Sequence, residues 1–106
     1  MGNDEDTIKA YDEAIAMNPK SDYAYYNKAI ALRALGEYEE AIKAYDEAIE
    51  INPKFVNAYF NKATVLKAIG EHEEAIKAYD EAIKNDPRNA DAYNNKGDIL
   101  YILGNY

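Results

Sequence analysis

The sequence contains no cysteine and no tryptophan, and only one histidine, three prolines and five glycines among 106 residues. Without cysteine there is no disulfide framework and no thiol chemistry, so the fold must rest on packing alone; a reducing cytoplasm fits this composition. No apolar stretch approaches the roughly 20 residues that span a bilayer, and the N-terminus is acidic where a signal peptide would be basic. We therefore expect a cytoplasmic protein that is neither exported nor embedded in a membrane.

Basic residues are also scarce. Lysine and arginine number 12 against 20 aspartates and glutamates, which gives a formal net charge of -8. Nucleic-acid interfaces need clustered basic residues that release counterions, so this charge argues against nucleic acid as a partner. The 48% hydrophobic and 30% charged residues, rich in Ala, Tyr, Ile, Glu and Lys, are instead the composition of amphipathic helices. We expect an all-α protein.

The usual catalytic constellations are missing from the sequence. We find no nucleophile with a base, no metal-ligand set and no phosphate-binding loop. His72 lies among glutamates near the start of a predicted helix, and we interpret it as surface or core filler. The repeated acidic pairs lack the loop geometry of a calcium site, and we expect them to serve solubility or lattice-type contacts. These pairs are Asp12-Glu13, Asp46-Glu47 and Asp80-Glu81. We predict that the chain is not an enzyme and binds no cofactor or metal.

An internal repeat dominates the sequence. The octapeptide IKAYDEAI occurs identically at residues 8–15, 42–49 and 76–83, with a period of 34 residues. The prolines at positions 19, 53 and 87 and the glycines at positions 2, 36, 70 and 104 keep the same step. A fixed period of this length indicates a repeat array, so every repeat is expected to share one backbone.

Each period divides into two helices. Residues 23–35 carry apolar residues at helical spacing and stop at Gly36, which can adopt the left-handed conformation that ends a helix. We name this segment helix A. Ser21 and Asn89 are placed to cap the following helix A, whereas Phe55 at the equivalent position cannot do so.

Helix B follows from residue 37 to about residue 51. It ends at Asn52-Pro53, because the residue before a proline is pushed out of helical geometry. The chain begins near the turn glycine Gly2 and stops after a last helix A over about residues 91–103. The expected order is therefore six helices, B-A-B-A-B-A.

This 34-residue helix-turn-helix with small residues at fixed places resembles the tetratricopeptide repeat family, and the resemblance covers nearly the whole chain. The family's signature positions hold large aromatics at Tyr25, Tyr59, Tyr93, Tyr11, Tyr45 and Tyr79, small residues at Ala29, Ala63, Gly97, Ala41, Ala75, Ala14, Ala48 and Ala82, and leucines at Leu32, Leu66 and Leu100. Alanines let helices approach closely while tyrosines and leucines fill the gaps, so we expect the tyrosines at positions 25, 45, 59, 79 and 93 in the core. The resemblance implies an all-α fold, a right-handed α-α superhelix (solenoid) of antiparallel helix pairs.

One departure from the family pattern recurs in every helix A. Lys28, Lys62 and Lys96 stand where the family usually has an apolar residue. Our main interpretation is that their aliphatic stems cover apolar surface while the ammonium groups reach water. The alternative is a cationic binding stripe.

We expect a single repeat domain over residues 1–106. Its parts are a helix B alone at 2–21, whole repeats at 22–55 and 56–89, and a helix A alone at 90–106. The last helix A lacks the B helix that would cover Tyr93, Leu100 and Leu103, and the first B helix lacks its own A partner. Either the chain is a piece of a longer array, or its ends complete one another between molecules, with a filament as the expected geometry. In such a seam residues 2–4 and 104–106 would compete for the same repeat positions.

The resemblance also implies a concave ligand groove made mainly by helix A. Its exposed positions are Tyr23, Tyr26, Asn27, Ile30, Arg33, Asn57, Phe60, Asn61, Thr64, Lys67, Asp91, Asn94, Asn95, Asp98 and Tyr101. The first end is aromatic with basic groups and would suit apolar anchors or carboxylates, while the last end, with Asp91 and Asp98, would prefer a cation.

Asparagine occupies one groove position in all three A helices, at residues 27, 61 and 95. Its amide can both accept from and donate to an extended peptide backbone, although it could equally bond neighbouring helices. A subgroup of the family binds C-terminal carboxylates through lysine, asparagine and arginine at fixed places. Here those places hold Tyr26, Ile30, Asp91 and Asn95, so binding of chaperone tails is not expected.

Two functions remain open from the sequence. The first is a scaffold that binds a peptide or protein segment in the groove, which is the family's usual role. The second is a structural unit, natural or engineered, whose unpaired end helices join molecules head to tail; the order of its helices is its support.

Overall fold

The computed structural model describes residues 4–104, and over this range the chain forms α-helices joined by short turns, with no strand. The helices are α1 (Asp4–Met17), α2 (Asp22–Ala34), α3 (Tyr38–Ile51), α4 (Val56–Ala68), α5 (His72–Asn85) and α6 (Ala90–Ile102). The predicted order is confirmed, since α1, α3 and α5 are B helices and α2, α4 and α6 are A helices. The predicted competition between the two termini involves residues 2, 3, 105 and 106, which lie outside the described range.

The turn glycines end the A helices as expected. Their φ angles are positive, at 80° for Gly36, 86° for Gly70 and 81° for Gly104. In the first turn the Gly36 amide donates to the Arg33 carbonyl at 2.9 Å, and the Glu37 amide donates to the Leu32 carbonyl at 2.9 Å. These bonds satisfy carbonyls that the end of a helix would otherwise leave unpaired.

The predicted caps are present. The Ser21 hydroxyl accepts from the Ala24 amide at 3.2 Å, and the Asn89 side-chain oxygen accepts from the Ala92 amide at 3.1 Å. Phe55, at the N-cap position of α4, makes no side-chain capping hydrogen bond. Each polar cap satisfies one of the amide groups that the first turn of a helix leaves open.

The chain forms two compact units, Met1–Pro53 and Lys54–Tyr106. In the first unit α2 packs against α1 and α3, and in the second α5 packs against α4 and α6. Successive helices joined by such short turns run antiparallel. The single domain over residues 1–106 stays a prediction.

Alanine and tyrosine build the core of each unit. Ala29, Ala41 and Ala48 in the first unit, and Ala63, Ala75 and Ala82 in the second, are 0% exposed. These small side chains allow the helix backbones to approach closely, and the fully buried rings of Tyr45 and Tyr79 fill the space beside them. The alanine and tyrosine pattern predicted from the repeat is therefore the packing pattern of both units.

The other signature tyrosines are less buried than predicted. Tyr25 and Tyr59 are half-buried. Tyr93 is 50% exposed, so the prediction that it belongs to the core is wrong. Its counterpart Tyr59 lies on α4, which α5 covers, whereas no helix follows α6 within residues 4–104. Leu103 at this end is 39% exposed, but its counterpart Leu35 on the covered helix α2 is 40% exposed, so Leu103 does not test the predicted exposure, and Leu100 is half-buried.

Two of the recurrent lysines form ion pairs with partly exposed carboxylates. The Lys28 ammonium lies 2.7 Å from an Asp12 carboxylate oxygen, and the Lys96 ammonium lies 2.7 Å from one of Asp80. Both aspartates belong to the octapeptide of a B helix, so the pairs add a contact that the sequence analysis did not predict, while the covering of apolar surface by the lysine stems stays a prediction. Because both partners are partly exposed, each pair contributes at most about 1 kcal/mol.

None of the helices within residues 4–104 has the length and apolarity needed to cross a membrane. In the same range, no three His, Cys, Asp or Glu side chains are grouped so as to hold a metal ion.

Candidate functional site

The groove residues predicted on α2 lie in the first unit. Tyr23, Tyr26, Ile30 and Arg33 follow one another at intervals of three or four residues, which places them on one face of the helix. Tyr23 is 62% exposed and Ile30 is 38% exposed, whereas Tyr26 and Arg33 are half-buried. Together with Asn27 these residues form what we call the first ligand face.

Three tyrosine rings contact one another in sequence from the first ligand face into the core. The rings of Tyr23 and Tyr26 meet edge to face at a centroid distance of 6.4 Å, and those of Tyr26 and Tyr45 are 6.0 Å apart. The edge-to-face arrangement of the first pair is a favourable geometry for aromatic side chains. The exposed Tyr23 is therefore connected through Tyr26 to the buried Tyr45 of α3.

The hydroxyl of Tyr45 is buried and has no hydrogen-bond partner among the described residues. Burial raises the pKa of Tyr45 to about 12, with the positive charge of the nearby Arg33 guanidinium acting in the opposite direction. Burial also raises the pKa of Tyr26, and the same guanidinium opposes that shift. Arg33 thus lies close to two phenol groups at once.

The remaining predicted groove residues lie on α4 and α6 of the second unit, and we call this set the second ligand face. Here the Thr64 hydroxyl lies 3.0 Å from both the Phe60 carbonyl oxygen and the Tyr79 hydroxyl. Because Thr64 donates its one proton to the carbonyl, the Tyr79 hydroxyl donates to Thr64. The Phe60 ring meets the Tyr79 ring edge to face at 5.6 Å. Every polar group of this cluster is satisfied.

A lysine joins the two helices of the second ligand face. The Lys67 ammonium on α4 donates to the Asn95 side-chain oxygen on α6 at 3.0 Å and lies 3.6 Å from an Asp98 carboxylate oxygen. The structure therefore brings Lys67, Asn95 and Asp98 into one polar network. Asn57, Asn94 and Tyr101 are exposed, Tyr101 by 70%.

Two of the repeated asparagines bond to the backbone of their own helix. The amide nitrogens of Asn61 and Asn95 donate to the carbonyl oxygens of Asn57 and Asp91, each at 2.8 Å and each one turn earlier in the same helix. Asn95 also accepts from Lys67, as described above. A side-chain amide carries two N–H donors and can therefore make more than one such bond.

A cavity of about 410 Å³ opens beside the second ligand face. It is lined by Asn57, Phe60, Asp86, Arg88, Asn89, Ala90 and Asp91. The sequence analysis found Asn57, Phe60 and Asp91 but missed the turn residues from Asp86 to Ala90. Their signals in the sequence are the proline at position 87, which places a turn directly before a helix A, and Asn89, which was predicted only as a cap.

His72 is half-buried at the start of α5, and its Nδ1 atom has no hydrogen-bond partner among the described residues. Glutamates 71, 73 and 74 lie beside it around a smaller cavity. In the described range these side chains do not form a group that could hold a metal ion.

Family comparison gives one consistent result. Three models match the sequence, each described as a tetratricopeptide repeat or TPR repeat, at residues 23–55, 44–77 and 64–104. No curated protein matches the chain in sequence.

Solved structures with the same fold include a crystal structure of MamA, with a TM-score of 0.94 and 30% identity over 98% of this chain and 61% of that one. The first TPR of Spaghetti (RPAP3), bound to an HSP90 peptide, gives 0.90 and 24% identity over 95% and 80%. YrrB, described as a TPR protein with an unusual peptide-binding site, gives 0.84 and 26% identity over 92% and 50%. The chain thus spans about three fifths of the MamA structure and half of the YrrB structure. The fold is an all-α helical repeat solenoid, and the chain belongs to the tetratricopeptide repeat family.

Proposed function

We propose that the chain is a protein-interaction scaffold that binds a peptide or protein segment through its ligand faces, and that it is not an enzyme. The observation that carries this proposal is that large side chains on the A helices are exposed although the alanines of the core are buried. Tyr23 is 62% exposed and Tyr101 is 70% exposed. Exposed aromatic groups flanked by polar side chains are typical of protein-binding surfaces.

The neighbouring structures support the same function. One was solved with an HSP90 peptide, and another carries an unusual peptide-binding site. In this chain Tyr26, Ile30, Asp91 and Asn95 stand in place of the lysine, asparagine and arginine residues that hold a C-terminal carboxylate in a subgroup of the family, so we expect a peptide other than a chaperone tail. The net charge of -8 on this chain argues against nucleic acid as a partner, and its cysteine-free composition suits the cytoplasm.

A peptide array followed by isothermal titration calorimetry tests this function. For a peptide that binds, Asn61→Ala should weaken affinity by about 1 kcal/mol, because one pair of backbone hydrogen bonds is lost. Lys77→Ala, on the exposed side of α5, is the matched control and should bind as the wild type does. If both variants bind with the affinity of the wild type, Asn61 does not contact the peptide. If no peptide on the array binds, the proposed function is wrong.

Self-association through the end helices is the second candidate, and a specific observation favours it. Ala10 and Ala14 of α1 are exposed, whereas their counterparts Ala44 and Ala48 in α3 are buried in the packing against α2. Likewise Gly97 of α6 is exposed where Ala63 of α4 is 0% exposed. The exposed face of α1 thus carries the small residues with which a B helix packs against an A helix. The exposed face of α6 is an A-helix surface of the kind that such a B helix would cover.

Light scattering during size-exclusion chromatography tests this candidate. If α1 of one molecule covers α6 of another, mass should grow with protein concentration, and Leu103→Asp should abolish the growth. Leu35→Asp is the matched control, because Leu35 has the same repeat position and a similar exposure, 40% against 39%. A constant monomer mass, or oligomers that persist in Leu103→Asp, would contradict the candidate.

A further inference from the structure

The same octapeptide lies in α1, α3 and α5, but its surroundings differ between these helices. In α5, which packs against α4, the alanines at positions 78 and 82 are 6% and 0% exposed. In α1 the equivalent alanines at positions 10 and 14 are exposed, and no A helix precedes α1 within residues 4–104. On α6 Gly97 is exposed, whereas the equivalent Ala63 of α4 is 0% exposed. The exposed faces of α1 and α6 therefore carry the two halves of the packing between α5 and α4.

Hydrogen-bonding groups on these two faces are complementary. The hydroxyl of Tyr79 on α5 and that of Thr64 on α4 lie 3.0 Å apart. The residues at the same repeat positions are Tyr11 on α1 and Asp98 on α6. The Asp98 side chain is 67% exposed, and its two oxygens can accept a further hydrogen bond beside the Lys67 ammonium at 3.6 Å. A phenol hydroxyl bonds more strongly to a carboxylate than to another hydroxyl.

The charges on the two faces are complementary as well. In the first unit Lys28 of α2 lines a cavity of about 110 Å³ together with the glutamates at positions 40 and 47 of α3. The residues at the same repeat positions are Lys96 on α6 and, on α1, Asp6 and Glu13. Lys28 and Lys96 are both paired with the B helix that precedes them. An ammonium group has three N–H donors, so Lys96 can also bind carboxylates of a B helix on its other side.

We propose that α1 of a second molecule packs against α6 in the register in which α5 packs against α4, and that the Tyr11 hydroxyl of the second molecule donates to the Asp98 carboxylate. The second molecule then contributes a side chain to the second ligand face. Each molecule carries one face of each kind, so the contact is heterologous and can repeat from molecule to molecule. This inference rests on the proposed self-association and adds its register and its polar link.

Two variants that each block one face test the register. Gly97→Gln and Ala14→Gln place a long neutral side chain where the equivalent residues, Ala63 for the first and Ala48 and Ala82 for the second, are 0% exposed. Both positions are exposed in the single molecule, and a Cβ at position 97 meets no atom within 4 Å. The circular dichroism of both variants should therefore match that of the wild type.

Light scattering compares the variants at a concentration at which the wild type associates. The salt concentration is about 0.15 M, which screens the repulsion between molecules of net charge -8. Each variant alone should stay at the monomer mass of 12.0 kDa. An equimolar mixture should double in mass and grow no further, because α1 of Gly97→Gln can cover α6 of Ala14→Gln while the remaining two faces are blocked.

The polar link is tested in the same assay. Tyr11→Phe should weaken association by about tenfold, since a hydrogen bond to a charged group is lost. Asp98→Thr should keep part of the affinity, because it restores the hydroxyl acceptor found on α4. Ala16→Gln is the matched control on α1. Its equivalents Glu50 and Lys84 are exposed, so this variant should associate as the wild type does.

The remaining outcomes separate the register from the self-association on which it rests. If the wild type stays monomeric at every concentration, both are wrong. If the wild type associates but the glutamine variants also associate alone, or their mixture stays monomeric, the register is wrong while self-association through another surface stands. If Tyr11→Phe associates as tightly as the wild type, Tyr11 does not bond to Asp98.

Discussion

Replacing Thr64 by valine should destabilise the protein through one identifiable hydrogen bond. Valine has nearly the shape of threonine and a similar helix propensity, so packing and backbone preferences change little. What changes is that Tyr79, which is 0% exposed, loses the acceptor that lies 3.0 Å from its hydroxyl. Leaving a buried hydroxyl unsatisfied costs about 1 to 3 kcal/mol, and the methyl group that replaces the Thr64 hydroxyl recovers a small part of it.

The matched experiment compares the two units. Tyr79→Phe removes one partner of the bond and should also destabilise, while Thr64→Val combined with Tyr79→Phe should cost less than the sum of the single changes. Tyr45→Phe removes a hydroxyl that has no partner, so it should be neutral or slightly stabilising.

Urea denaturation at neutral pH, followed by circular dichroism, measures these free energies of unfolding. The reasoning is refuted if Thr64→Val unfolds at the wild-type midpoint. It is equally refuted if Tyr45→Phe and Tyr79→Phe destabilise the protein to the same extent.

Three further predictions concern stability. Burial raises the pKa of Tyr45 to about 12, so between pH 10 and 12 the folded state keeps this proton while the unfolded state loses it. The free energy of unfolding should therefore fall as the pH rises from about 10 towards 12. Urea denaturation across this range should show a smaller fall in Tyr45→Phe. Gly70→Ala should cost about 1 kcal/mol in thermal unfolding, since the φ of 86° disfavours alanine while its Cβ meets no atom within 4 Å; an unchanged melting temperature would show that the turn relaxes. Ser21→Ala should cost about 1 kcal/mol by the same measurement because the Ala24 amide loses its cap, and Ser21→Asp should restore most of it.

The helices could be predicted from the sequence because their limits depend on neighbouring residues. Gly36 ends α2 through its own positive φ, and Pro53 ends α3 through its effect on Asn52. Because the sequence repeats every 34 residues, a helix end predicted in one repeat also predicts the helix end at the equivalent position of the next repeat. The alanine and tyrosine core followed from the family resemblance for the same reason, with Tyr93 as the exception at an uncovered helix.

The lysine pairs could not be predicted because they depend on distances between helices. Lys28 and Asp12, like Lys96 and Asp80, are 16 residues apart, a spacing with no meaning within one helix. Only the packing of an A helix against the preceding B helix brings them to 2.7 Å.

The difference between the two ligand faces was also hidden in the sequence. Tyr45 and Tyr79 lie in identical octapeptides, so local reasoning treats them alike. Their hydroxyls differ because of one side chain on the neighbouring A helix, Ile30 or Thr64. Sequence reasoning placed Ile30 and Thr64 in the groove. It could not show that Thr64 accepts a hydrogen bond from a core tyrosine whereas Ile30 offers no acceptor.

The most direct test of the peptide-binding function is chemical-shift mapping of ¹⁵N-labelled protein during titration with a peptide that binds. We expect the amide signals that move most to belong to α2, α4 and α6, centred on the two ligand faces, with small changes in α1, α3 and α5. Shifts concentrated on the B helices, or spread evenly over the described chain, would contradict the proposal that the A helices carry the binding surface.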